Sequence, residues 1–225
     1  MHVFIITQYF PPEIGAAASR WGDYVDILVN QNHKVTVLCE SPHYPNNNYF
    51  LGYNNSWIKI EKKSLNLTII RSKAYASDRK TTLKKLAHYF VFMISAIFNT
   101  RKVKNYDLVI VSSPPLFAGV IGLFIKKFIQ KDYWLDVRDL WPDSALELNQ
   151  INKGFLYRIG KKLESSIYNS AKGFIFPVPG FRYYLKNFSK KISKKPMFEL
   201  MNGVSHNFLN LSKSINIDTD EKFTV

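Results

Sequence analysis

Seven short apolar runs punctuate the chain, each unbroken and rich in β-branched or aromatic residues: 3–7, 35–38, 67–71, 108–111, 133–137, 174–178 and 197–201. A run that is apolar on both faces suits a strand covered on both sides, which is the condition of a central parallel strand. Helical stretches separate most of these runs. Ala17, Trp21, Tyr24, Val25, Leu28 and Val29 fall on one helical stripe, and Asn32 sits just past its last turn, where a left-handed residue is expected. Residues 83–98, 116–129 and 155–170 read as further helices. Short buried strands alternating with helices predict an α/β fold, a Rossmann-like parallel sheet with right-handed crossovers and helices on both faces. A length of 225 residues at 46% hydrophobic content suffices for one such domain. We expect it to occupy 1–203. Residues 204–225 read as a linker, with 222–225 resembling the opening of a strand that has no neighbours, so a further domain is expected to follow.

Composition removes several classes. The single cysteine, Cys39, closes an apolar run and is expected to be a small buried hydrophobe; no disulfide framework and no Cys-His metal cluster is available. The apolar N-terminus lacks the basic lead-in and small-residue cleavage site of a signal peptide, so a cytoplasmic location is expected. The net charge of +14 is unevenly spread. Residues 59–104 carry 12 basic and 2 acidic side chains and residues 151–200 carry 11 and 2, while the remaining segments are mildly acidic. Such blocks suit an anionic membrane surface or a nucleic acid. No helix-turn-helix, RNA-recognition or zinc-finger pattern is present, and the basic residues flank apolar helices, which argues against nucleic acid. The apolar core of the 83–98 helix, 13 residues from 86 to 98, is too short to span a bilayer. With Lys84, Lys85, Arg101 and Lys102 at its flanks, it is expected to dock on an anionic membrane without crossing it.

In an open parallel sheet, ligands bind beyond the carboxyl ends of the strands, so topology selects the loops that matter. After the first strand comes Gln8-Tyr9-Phe10-Pro11-Pro12-Glu13-Ile14-Gly15-Ala16-Ala17, whose small residues lie where the loop enters a helix; backbone N–H groups there could face a phosphate, or the turn could simply need small residues. No GxGxxG and no Walker lysine is present. After the fourth strand, the Ser112 and Ser113 hydroxyls could bind a sugar, although capping the next helix is the expected use. After the fifth strand, Asp136-Val137-Arg138-Asp139-Leu140-Trp141-Pro142-Asp143 is the densest polar cluster of the chain. Asp136 and Arg138 share one strand face and Asp139 takes the other. The cluster reads either as a structural Arg–Asp pair or as a charged site with Trp141 as a sugar-stacking platform.

These loops, with Asn32-His33-Lys34-Val35-Thr36-Val37-Leu38 and Asn202-Gly203-Val204, together resemble the N-terminal domain of family-4-type glycosyltransferases of the GT-B fold, over essentially the whole chain. Within that family the likeness is to bacterial O-antigen, capsule and colanic-acid transferases of the fucosamine-transferase type. The resemblance implies a nucleotide-sugar donor and a polyprenyl-diphosphate-linked saccharide acceptor at the cytoplasmic membrane face. It also implies retention of anomeric configuration and transfer without a metal or other cofactor. The donor would be held by a C-terminal domain bearing an Arg/Lys pair and a Glu-x7-Glu motif, so this chain alone is expected to be inactive. Carried over, Gly15, Ala16 and Ala17 would approach the donor diphosphate, Arg138 and Asp139 would hold the catalytic positions, and Glu13, Arg20, Ser112, Ser113, Asp136 and Trp141 would line the acceptor cleft. Arg138-Asp139 stands where many relatives have His-Asp, which leaves the acid/base assignment open. Phe176-Pro177-Val178-Pro179 replaces a more polar strand ending, and Asp218-Thr219-Asp220 imitates the metal motif of a different glycosyltransferase fold.

Overall fold

A computed structural model describes residues 1–76 and 81–203. Two features expected from the sequence, Asp218-Thr219-Asp220 and the strand opening at 222–225, lie outside the described residues, as does the 204–225 linker. Eight strands form one sheet: β1 (His2–Ile6), β2 (Lys34–Glu40), β3 (Ile58–Lys62), β4 (Leu67–Ser72), β5 (Leu108–Ser113), β6 (Trp134–Val137), β7 (Gly173–Phe176) and β8 (Met197–Glu199). Their order across the sheet is β3-β4-β2-β1-β5-β6-β7-β8. Every pair is parallel except β3 with β4. The helices are α1 (Ala16–Asn30), α2 (Thr82–Thr100), α3 (Leu116–Phe124), α4 (Asp143–Glu147), α5 (Phe155–Ser170), α6 (Gly180–Phe188) and α7 (Lys190–Ser193), and α3 runs on as a π-helical turn to Ile129.

The seven apolar runs all became strands; the side chains of the central ones are buried from both sides, while β8 at the sheet edge is half-buried to exposed. On one face Val3, Ile5, Val35, Val37, Cys39 and Ile69 pack with Trp21 and Val25 of α1. On the other, Phe4, Ile6, Leu38, Val111 and Leu135 pack with Phe92 and Ala96 of α2, Ile121 of α3 and Ile167 of α5. Cys39 is fully buried, and burial pushes its thiol up to about 12, so it is inert. Helix α1 ends as its sequence requires. Asn32 has a φ of 61°, His33 N–H bonds Leu28 O at 3.0 Å, and Asn32 N–H bonds Val29 O at 2.9 Å. These two bonds close the last turn in the pattern of a left-handed C-terminal cap.

Four elements depart from the sequence reading. β3 is an antiparallel edge strand, one face half-buried, where the pattern predicts no element. α4, α6 and α7 are helices where it predicts none. Each is short or strongly polar, so its order comes from docking on the sheet rather than from its own pattern.

Close approach constrains one glycine severely. A Cβ on Gly173 would stand 2.4 Å from Cζ3 of Trp134 and 2.7 Å from the Pro196 carbonyl oxygen. The carbonyl belongs to the backbone and cannot swing aside. Gly173→Ala is therefore expected to lower stability by about 1–3 kcal/mol or more, read as a shift of the urea midpoint at unchanged m; an unshifted midpoint would contradict this packing.

Candidate functional site

Strand order reverses direction at β1: β2 and β4 lie to one side and β5 to β8 to the other. That switch point opens a crevice beyond the carboxyl ends of β1 and β5, and the singled-out loops meet there. Residues Tyr9, Glu13, Gly15, Ala16, Ala17 and Tyr44 line a pocket of about 280 Å³ at the head of α1. Gly15 caps that helix without a side-chain hydrogen bond. The first-turn amides and the positive end of the dipole thus face the pocket, an arrangement suited to an anion.

Beneath the crevice lies a buried polar network. Asp136, on the penultimate position of β6, is fully enclosed; its Oδ1 accepts from Arg20 Nη2 at 3.0 Å and its Oδ2 from Ser112 Oγ at 2.8 Å. Arg138 Nε donates to Ser112 Oγ at 2.9 Å, and its Nη2 donates to the Pro114 carbonyl at 2.7 Å. Its guanidinium is 3.8 Å from Asp136 Oδ2. Arg20 also donates to Asn202 Oδ1 at 2.8 Å and lies over the rings of Trp21 and Tyr24. One carboxylate thereby ties α1, β5, β6 and the segment after β8 together. Burial holds the Arg138 guanidinium below its usual value, partly offset by Asp136, yet an arginine keeps its charge.

Several expected cleft residues sit behind the surface. Arg20, Asp136, Ser112 and Ser113 are buried and lie beneath the crevice rather than on its surface. Ser112 caps nothing: α3 is capped by Pro115 without a side-chain bond, because the Ser112 hydroxyl is already engaged between Arg138 and Asp136. Glu13 is also buried. Its Oε1 accepts from the His43 and Tyr44 amides, each at 3.1 Å, and its Oε2 from the Phe10 amide at 3.4 Å. Burial outweighs these bonds and pushes its carboxyl up to about 7. Glu13 therefore fixes the loop that carries Tyr44.

Arg138 and Asp139 are adjacent but point to different surroundings. Asp139 is part-exposed and lines a pocket of about 510 Å³ with Asp143, Lys153, Tyr157 and Tyr184. Trp141 does not face that pocket. With Leu83, Leu86, Phe90, Phe117 and Ile159 it lines an apolar groove of about 380 Å³ among α2, α3 and α5, and a Cβ on Gly160 would stand 2.9 Å from its ring. The expected sugar platform is thus an apolar wall, since Gly160 leaves room for the indole against α5. Lys84 and Lys85 lie in the first turn of α2, and Arg101 and Lys102 lie at its far end; 19 residues set the two pairs about 25–30 Å apart.

Sequence reasoning missed Arg71. Fully buried, it donates to Phe10 O and Pro11 O and to Glu61 Oε1 at 3.2 Å, so it pins the loop at the head of α1 from beneath. An arginine inside an apolar strand run was the available signal. Folding also gathers Glu40, His43 and His88, whose potential ligand atoms lie within 4.8 Å of one another; their spacing in sequence gives no hint of it.

Sheet order and the pocket at the head of α1 define the class: a Rossmann-like α/β domain with the fold of one half of a GT-B glycosyltransferase. The solved catalytic domain of starch synthase IV from Arabidopsis thaliana, bound to ADP and acarbose, superposes with a TM-score of 0.60 at 10% identity, covering 92% of this chain and 52% of that one. In sequence the chain is similar to the colanic acid biosynthesis glycosyl transferase WcaI of Escherichia coli (strain K12), 26% identical over 156 residues, which is 68% of this chain and 38% of the relative. No family model matches. The solved structure supports the fold and the sequence relative supports the likeness to a bacterial polysaccharide glycosyltransferase; the chain spans only about two fifths to one half of the length of the proteins it matches.

Proposed function

We propose that this domain is the acceptor-side half of a bacterial polysaccharide glycosyltransferase, working with a donor-binding domain of GT-B type to move a sugar from a nucleotide-sugar to a polyprenyl-diphosphate-linked saccharide. The observation that carries this reading is the crevice at the β1/β5 switch point, with the α1 head beside it, taken together with the likeness to WcaI. In this reading the amides of Gly15, Ala16 and Ala17 stabilise the leaving diphosphate, a task that a helix N-terminus performs without a metal ion. Arg138 adds positive charge at the crevice floor, held in place by Asp136. Asp139 is the polar group presented to the acceptor. Configuration at the transferred carbon is retained.

The test assays release of nucleoside diphosphate from a panel of nucleotide-sugars, with lipid-linked saccharides as acceptors. It compares the chain alone with the chain joined to a GT-B donor-binding domain. Transfer by the joined protein and none by the chain alone is expected. Robust turnover by the chain alone, or none with any donor after joining, counts against the reading.

Membrane docking belongs to the same proposal. No helix among the described residues is long and apolar enough to cross a membrane. Helix α2 buries Phe92, Met93, Ala96 and Asn99 against the sheet, yet Leu83, Phe90 and Phe98 on its outer side are 76%, 52% and 52% exposed. The helix therefore offers apolar side chains to both sheet and surroundings, with basic residues at both ends, as a surface-lying helix requires. Reversing Lys84, Lys85, Arg101 and Lys102 to Glu is expected to abolish salt-sensitive co-sedimentation with anionic vesicles, since each basic residue contributes about 1 kcal/mol at the surface. Equal sedimentation of both proteins would leave α2 as core alone.

A further inference from the structure

A second polar cluster, apart from the network around Asp136, sits where β2 ends against α2. Glu40 is the last residue of β2, His43 follows three positions later, and His88 enters from the second turn of α2; all three are fully buried. Glu40 Oε2 lies 3.3 Å from His88 Nε2, and Glu40 Oε1 lies 3.7 Å from His43 Nδ1. The two imidazole rings meet edge to face with centroids 5.2 Å apart. We propose that Glu40, His43 and His88 form a binding site for a zinc-class divalent cation, with Gln8 as a fourth donor.

Four features converge on this. A tetrahedral zinc ion with bonds of about 2.0–2.1 Å holds its ligand atoms about 3.3–3.5 Å apart; Glu40 Oε2 and His88 Nε2 stand 3.3 Å apart, and a ligand atom of each of the three residues lies within 4.8 Å of the others. The second feature is ring orientation: His88 Nδ1 is 2.8 Å from the Tyr75 carbonyl oxygen and His43 Nδ1 is 2.9 Å from that of Ser41. A carbonyl has no proton to give, so in the neutral rings Nδ1 carries the hydrogen and Nε2 keeps its lone pair. That backbone support of the far ring nitrogen is the usual setting of metal-binding histidines.

The third feature is charge. Two buried carboxylates, Glu40 and Glu13, flank the same imidazole, with Glu13 Oε1 4.0 Å from His43 Nδ1. A cation at this point offsets the cost of enclosing them. The fourth is Gln8, also fully buried. Its Nε2 lies between the same two groups, 2.8 Å from Glu40 Oε2 and 2.6 Å from His88 Nε2, while its Oε1 has no hydrogen-bond partner. An amide donor thus stands where a cation would, bridging a carboxylate and an imidazole lone pair. Turning that amide over presents its oxygen to the same point. Two imidazoles with oxygen donors favour zinc over calcium or magnesium, which take oxygen alone.

Bound there, the ion would clamp the segment after β2, which carries the pocket residue Tyr44, to α2. This inference rests on the cluster alone and stands or falls apart from the glycosyltransferase reading. The experiment uses the untagged full chain, stripped with a chelator and dialysed, then titrated with zinc against a competing chelator and separately with cobalt. We expect one equivalent to bind, visible cobalt absorption of a tetrahedral nitrogen–oxygen site, and a rise in Tm on zinc addition. His43→Gln and His88→Gln are expected to weaken binding at least tenfold, whereas His2→Gln and His33→Gln leave it unchanged. Because a variant at a buried position can fail to fold, the wild-type titration decides by itself. Sub-stoichiometric uptake with no cobalt spectrum and no shift in Tm overturns the proposal, as does full binding retained by both folded cluster variants.

Discussion

Replacing Asp136 with alanine is expected to lower stability by about 3–5 kcal/mol, the range for removing one partner of a buried ion pair. Two guanidinium groups depend on this carboxylate. Arg20 bonds it directly at 3.0 Å, and Arg138 reaches it through the Ser112 hydroxyl and stands 3.8 Å away. Arg20 and Asp136 have side-chain exposures of 1% and 0%, so water cannot take over. A domain of ordinary stability keeps only about 5–15 kcal/mol in total, and the loss would be visible as a large drop in urea midpoint. Removing the pair together, as Arg20→Met with Asp136→Leu, should cost less than Asp136→Ala, because only Arg138 is then left without its carboxylate. A single-variant loss below about 1 kcal/mol would mean that the network is not carrying the crevice.

Asp139→Asn should do the reverse: under the proposed function it leaves stability within about 0.5 kcal/mol of the parent while cutting turnover of the protein joined to a donor-binding domain at least tenfold. Unlike Asp136, Asp139 is part-exposed, and it borders an open pocket at the carboxyl end of β6. Steady-state rates with unfolding curves on the same preparations separate the two effects. If Asp139→Asn unfolds the protein while its folded fraction turns over normally, the residue is structural and the acid or positioning role belongs elsewhere on this edge.

These two acids, three residues apart, show how far the sequence could be read. The cluster at 136–143 was visible because charged residues follow an apolar strand at an edge selected by topology. Which of them meets a ligand was not visible. A one-residue step along a strand reverses the face, but burial depends on what the neighbouring elements place there. Arg20 comes from α1, 116 positions away in sequence, and encloses Asp136. Ser112 looked like a helix cap because local sequence favours caps after a strand; a competing acceptor on β6 took its hydroxyl. The sequence places Trp141 beside the charged cluster, but only the fold shows that its ring packs in the gap left by Gly160 on α5 and lines an apolar groove.

By itself the sequence determined the alternation of strands and helices, the parallel character of the central sheet, the loops that follow its strands and the family half it resembles. Those follow from hydrophobic periodicity and turn chemistry, which are local and repeat along the chain. The tertiary structure alone decided that β3 joins the edge antiparallel, that Asp136 is enclosed while Asp139 stays open, and that Arg71 pins the first loop from below. It alone brought Glu40 and His43 onto His88, 45 positions further along the chain. These are long-range encounters between side chains whose partners cannot be ranked from spacing, because their energies depend on burial and mutual geometry that exist only once the sheet has formed.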